Sequence, residues 1–129
     1  MRPIFVATLL LAALATPACA FRAINGLSVE QTGDRQFHVA YGSMRHKTDF
    51  LCAAADYVSR GLGLPGSTRL YRESPAPRKS GEGITFTLDP DRKVPMKMFN
   101  WLWVDDNDGG ISAVSARSSY CFGSRGDWR

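Results

Sequence analysis

The sequence is poor in the side chains that most enzymes use for chemistry. It holds only 2 histidines and 3 cysteines in 129 residues, whereas a zinc site takes roughly three or four ligands. It also lacks the G-x-S-x-G, H-E-x-x-H and phosphate-loop patterns that mark common hydrolases, zinc proteases and nucleotide-binding enzymes. We therefore expect no metal site and no cofactor.

The excess of one charge sign is also small. The chain has 16 Lys+Arg against 12 Asp+Glu, a formal net charge of +4. No dense stripe of basic residues is present, which argues against a dedicated nucleic-acid binder. Long apolar runs are missing too, since the main one covers residues 4–15 and a membrane span needs about 20 residues.

The first 20 residues have the three parts of a secretory signal peptide. Arg2 supplies the positive charge, residues 4–15 are the apolar segment, and Ala18-Cys19-Ala20 offers the small side chains that a signal peptidase accepts. We expect cleavage before Phe21, which leaves one periplasmic domain over residues 21–129. A membrane anchor is the alternative, disfavoured by the short apolar segment and the proline that follows it.

Cleavage would remove Cys19 and leave Cys52 and Cys121. An even cysteine count in an exported chain predicts a disulfide, and closing so long a loop contributes about 4 kcal/mol in the chain-entropy account. A reactive Cys52 near His46 is the competing interpretation, which an oxidising compartment disfavours. Lipid attachment to Cys19 is a further alternative, although Thr16 stands where such signals usually carry leucine.

Hydrophobic periodicity and turn residues predict a mixture of strands and helices. Strands are predicted at 27–31, 36–41, 68–73, 84–88 and 96–104, a main helix from Thr48 or Asp49 to Gly61, and a short helix at 113–121 capped by Ser112. The pattern at 111–115 also fits the start of a strand. The order ββ-α-βββ-α predicts an α+β fold, a small antiparallel sheet packed by the main helix and a short C-terminal helix.

Two stretches resemble ligand-binding motifs, but the sequence around each one argues against binding. Residues 61–66 match G-x-G-x-x-G, but a helix precedes them, where the dinucleotide fingerprint requires a strand. Residues 105–110 resemble the start of a calcium loop, but Ala116 occupies the position of the bidentate glutamate. A helix end and an acidic turn are predicted instead.

Two surfaces are candidates for binding a partner. One is the proline-containing basic loop 74–83, whose prolines lower the cost of ordering on capture; a solvated hairpin loop is the alternative. The other is the strand 96–104, because aromatic residues are enriched at interface hot spots; core packing is the alternative. The candidate residues are Arg69, Arg72, Arg78, Lys79, Trp101 and Trp103.

Acid–base chemistry has one candidate centre. His46 lies between Arg45 and Lys47, an arrangement in which a small secreted nuclease would use histidine for proton transfer and the cations to hold phosphate. The other histidine, His38, lies in a predicted strand and is expected to be a hydrogen-bonded structural residue.

Four strings in the sequence carry a family resemblance. They are Asp49-Phe50-Leu51-Cys52-Ala53-Ala54-Ala55-Asp56-Tyr57, Arg69-Leu70-Tyr71, Phe86-Thr87-Leu88-Asp89-Pro90 and Ser119-Tyr120-Cys121. Together they resemble small uncharacterised exported proteins of alphaproteobacteria. The resemblance covers roughly residues 49–121; it implies paired cysteines and a bacterial envelope location, and it implies no activity.

The leading hypothesis is a non-enzymatic periplasmic accessory or inhibitor-like protein that binds an envelope protein partner through the basic loop or the Trp strand. The alternative is a small secreted hydrolase, nuclease-like, centred on His46 with Arg45 and Lys47. A purely structural envelope protein is a third class.

Overall fold

The secondary structure comes from a computed structural model, which describes residues 20–42, 46–75, 78–94 and 109–122. The strands are β1 (Phe21–Arg22), β2 (Ser28–Gly33), β3 (Gln36–Val39), β4 (Arg69–Arg72), β5 (Ile84–Thr87) and β6 (Ile111–Ser112). The helices are α1 (Lys47–Asp56) and α2 (Ala113–Ala116), each continued by one wide turn, Tyr57–Gly61 and Arg117–Cys121 respectively. The fold is α+β, as the sequence predicts.

The described strands form one antiparallel sheet in the order β1-β2-β3-β5-β4-β6. At its centre β3 pairs with β5, so that Phe37 lies opposite Phe86 and Val39 opposite Ile84. Alternate residues of a strand face opposite sides of a sheet. These four buried side chains therefore share the covered face, and the polar residues between them share the other.

Helix α1 lies between the sheet and the C-terminal helix. All residues from Phe50 to Val58 are buried, because the sheet covers one side of the helix and the α2 segment covers another. The small side chains of Ala53, Ala54 and Ala55 allow both neighbours to approach closely. On the sheet side, the Phe37 ring lies 4.8 Å from the Tyr57 ring and 6.0 Å from the Phe86 ring.

The Cys52–Cys121 disulfide joins α1 to the end of the C-terminal helix. Both cysteines are buried, so the bridge crosslinks the interior of the domain. The predicted pairing of these cysteines is thereby confirmed. A thiol of Cys52 is not free for nucleophilic chemistry, which removes the reactive-cysteine interpretation.

The other elements mostly fall where the sequence places them. The Ser112 hydroxyl accepts a hydrogen bond from Ser115 N at 3.3 Å and caps α2 as predicted, while Ile111 and Ser112 form the short strand β6. β1 was not predicted. Three predicted features lie mostly or wholly outside the described residues: the strand 96–104, the acidic turn at 105–110 and the signal peptide, of which residues 1–19 are not described. Within the described part, no helix combines the length and apolarity needed to cross a bilayer.

Candidate functional site: the braced β4–β5 loop

The basic loop is the connection between β4 and β5, residues 73–83, and Arg72 supports its base. Arg72 lies opposite Phe86 on the covered face of the sheet and is only 2% exposed. Its Nε donates to the Ser74 carbonyl at 2.8 Å and its Nη2 to the Pro75 carbonyl at 3.1 Å. Burial, and then the nearby charge of Arg78, lower the pKa of Arg72.

Its burial distinguishes Arg72 from the other described residues that the sequence predicts to bind a partner. The sequence predicts that Arg72 binds a partner because it flanks the loop. In the structure Arg72 alternates with Tyr71 and faces inward with Leu70. Its guanidinium donates to two loop carbonyls, and a role of Arg72 in partner binding stays a prediction. Arg72 is a structural brace of the loop.

Arg78 holds the other side of the same loop. Its guanidinium lies over two aromatic rings, 5.0 Å from the Phe50 centroid and 5.3 Å from the Tyr41 centroid, which are cation–π distances. Its Nη1 also donates to the Glu82 carbonyl at 2.8 Å. Arg78 therefore fastens the loop to the start of α1 and to the residues that follow β3.

The tip of the loop is ordered by backbone contacts and faces solvent. Glu82 N donates to the Lys79 carbonyl at 3.1 Å, closing a turn in which Gly81 has a φ of 81°. Lys79, Ser80 and Gly81 are all exposed. Of the predicted loop cations, Lys79 is the one whose charge is presented outward.

The remaining predicted partner-binding residues have separate places. Arg69 is exposed on β4, where its Nη1 donates to the Gly109 carbonyl at 3.0 Å and reaches the Gly110 carbonyl at 3.4 Å. It therefore links β4 to the turn before β6. Trp101 and Trp103 lie outside the described residues, so their role in binding stays a prediction.

The two histidines occupy different environments. His46 is the exposed N-cap of α1, and its backbone N donates to the Asp49 carboxylate at 2.8 Å, a typical helix-start contact. Arg45 and the side chain of Lys47 lie outside the described part, so a nuclease-like centre at His46 stays a prediction. His38 Nδ1 lies 2.9 Å from Thr85 Oγ1, as expected of a hydrogen-bonded strand residue.

A buried charge cluster at the end of α1 was missed by the sequence analysis. Asp56 is fully buried; it accepts from Ile24 N at 2.8 Å and Arg60 Nε at 2.7 Å, and Arg117 Nη2 lies 3.3 Å away. Burial alone would raise the pKa of Asp56, but the hydrogen bonds from Arg60 and Ile24 and both arginine charges hold that pKa below its ordinary value. The i, i+4 spacing of Asp56 and Arg60 was the available signal.

No known protein family, curated protein or solved structure matches this chain. The chemistry of the side chains is therefore the guide to function. Among the residues that the structure describes, no three His, Cys, Asp or Glu side chains are close enough to share a metal ion. What the described geometry offers is a braced loop with an outward lysine.

Proposed function

We propose that this protein is exported through its N-terminal signal peptide and acts in the bacterial periplasm as a non-enzymatic accessory protein that binds an envelope protein. The β4–β5 loop is the proposed binding element. The observation that carries the proposal is the bracing of that loop by Arg72 from inside the domain and by Arg78 from its flank.

The bracing is more than a connection between two strands requires. Ordinary hairpin loops have about two to five residues, whereas this one spans residues 73–83. Placing the Arg72 guanidinium in the interior costs desolvation free energy, so the bracing of the described loop residues is maintained at a cost to folding. An ordered loop loses less conformational entropy when a partner binds, which favours recognition as its role.

The buried disulfide supports the proposed compartment. Structural disulfides form and persist in oxidising environments such as the periplasm. The Cys52–Cys121 bridge lies inside the domain, where it stabilises the fold and takes no part in exchange chemistry. It is compatible with the export that the first 20 residues predict.

Capture of partners from native envelope tests the proposal. The tagged mature protein, residues 21–129, is compared with Lys79→Glu at the loop tip and with Arg92→Glu, which makes the same charge change at an exposed position outside the loop. We expect one stoichiometric partner with the wild type and with Arg92→Glu, and its loss with Lys79→Glu.

Two outcomes would contradict the proposal. One is the absence of any stoichiometric partner; the other is a partner retained equally by Lys79→Glu, which would direct attention to Trp101 and Trp103. Hydrolysis of RNA, DNA, peptidoglycan or ester substrates by the purified protein, abolished by His46→Ala, would instead support the hydrolase alternative.

A further inference from the structure

A second surface lies at the C-terminal end of α1, where three segments of the chain meet. Residues 21–24 are held there by the hydrogen bond from Ile24 N to Asp56 and by Arg60, which lies over the Phe21 ring at 5.1 Å. Residues 112–117 are held by the bond from Val114 N to the Gly66 carbonyl at 2.9 Å and by the pairing of Arg117 with Asp56. The end of α1 and the turn after it lie between them.

This surface carries arginine and aliphatic side chains. We name it the arginine–leucine surface and define it by Arg22, Ile24, Arg60, Leu62, Leu64, Val114 and Arg117. Leu62 and Leu64 are each 37% exposed and Val114 is 54% exposed. Isolated exposed aliphatic residues are ordinary on protein surfaces, but these are gathered around one helix end.

Acidic side chains are absent from the same described segments. Residues 20–28, 57–72 and 109–122 contain no Asp or Glu, and the adjoining Asp56 is buried and neutralised by Arg60 and Arg117. The other acidic residues of the described part lie elsewhere along the chain, at Glu30, Asp34, Asp49, Glu73, Glu82, Asp89 and Asp91. In the described segments, the arginines and the exposed aliphatic side chains are therefore separated from the exposed acidic residues.

The leucines lie on an open turn. Gly63, between them, has a φ of 65°, and a Cβ added at Gly63 would meet no atom within 4 Å. The turn is therefore unobstructed at Gly63, and the two half-exposed leucines flank that glycine in the sequence.

We propose that the arginine–leucine surface docks on an anionic lipid membrane. The leucines enter the boundary between headgroups and acyl chains, and Arg22 binds lipid phosphate, for which arginine is well suited. Arg60 and Arg117, which share the charge of Asp56, add one further net positive charge to the surface. A bilayer fits both observations, because the boundary between headgroups and acyl chains accepts exposed aliphatic side chains without a shaped pocket. Its anionic lipids also attract described segments that carry arginine and no exposed acid. This role is independent of the β4–β5 loop and places the protein at a membrane surface.

Vesicle co-sedimentation of the disulfide-bonded mature protein tests this assignment. Phosphatidylcholine vesicles with and without phosphatidylglycerol are compared, and binding is expected only to the anionic ones, decreasing with added salt. Leu62→Ser/Leu64→Ser should lower the partition coefficient at least about tenfold. Arg22→Ala, which leaves the Asp56 pairs in place, should lower it about fivefold.

The control is Lys79→Ala, which removes one positive charge from the loop tip and should leave vesicle binding unchanged. Circular dichroism melting shows whether the leucine variant stays folded, as its exposed positions predict. Absence of vesicle binding, equal binding to neutral vesicles, or unaltered binding by the folded leucine variant would overturn the proposal. Loss of a captured envelope protein in the leucine variant, without vesicle binding, would assign the surface to a protein instead. The capture experiment with Lys79→Glu tests the proposed partner binding by the β4–β5 loop separately.

Discussion

The Asp56 cluster gives the sharpest prediction about stability. Asp56→Asn keeps the size of the side chain and an oxygen for Ile24 N, but it removes the charge that Arg60 and Arg117 share. Removing one member of a buried ion pair costs about 3–5 kcal/mol. The arginine side chains are 49% and 29% exposed, so water recovers part of that loss. We therefore expect the free energy of unfolding to fall by about 2–3 kcal/mol.

Urea unfolding of the disulfide-bonded protein at pH 7, followed by circular dichroism, measures this change. The control is Asp91→Asn, the same chemical change at an exposed position, which should stay within about 0.5 kcal/mol of the wild type. Equal stability of Asp56→Asn and the wild type at pH 7 would refute the idea that the cluster stabilises the fold through its charge.

The pH dependence follows from the direction of the Asp56 shift. Because the folded protein holds the pKa of Asp56 below its ordinary value, the charge of Asp56 stabilises the fold fully above a pH of about 4 to 5. That contribution is lost as the pH falls through the folded pKa. The stability difference between wild type and Asp56→Asn should therefore shrink on acidification. A difference that stays constant would contradict the idea that the charge of Asp56 stabilises the fold.

Two further predictions concern the fold. Cys52→Ser/Cys121→Ser should lower the free energy of unfolding by about 4 kcal/mol in urea titrations, and an unchanged midpoint would show that the bridge contributes nothing. Gly83→Ala should cost about 2–3 kcal/mol, because the new Cβ would lie 2.1 Å from the Val39 carbonyl oxygen. Gly109→Ala, whose Cβ meets nothing within 4 Å, should be neutral by the same measurement, and similar losses at both glycines would contradict the steric account.

Local patterns in the sequence predicted most of the regular elements. The apolar stripe from Phe50 to Val58 predicted α1, and the Ser112 cap predicted α2. β1 was missed because two residues, Phe21 and Arg22, are too few to show alternation; they are extended because they pair with β2. The alternation of β4 also indicates that Arg72 faces inward with Leu70. The position of Arg72 next to the loop favoured a surface role in the sequence analysis.

The parts that could not be predicted depend on contacts between distant residues. Asp56 and Arg60 are neighbours on one helix, but Ile24 and Arg117 reach the same carboxylate only after the sheet and both helices have assembled. The position of Arg78 over Phe50 and Tyr41 likewise depends on how the loop folds back over α1. The arginine–leucine surface is visible in sequence as three segments without acids, and only the fold brings them together.

The Asp56 cluster also has a consequence for the order in which the chain acquires its structure. During synthesis the ribosome delivers Ile24 and Asp56 well before Arg117, and Cys52 well before Cys121. Until the last segment arrives, the Asp56 carboxylate lacks one of its two cations and Cys52 lacks its partner. Full burial of α1 therefore requires the C-terminal helix, so the native packing of this domain cannot be completed before residues 113–121 have been synthesised.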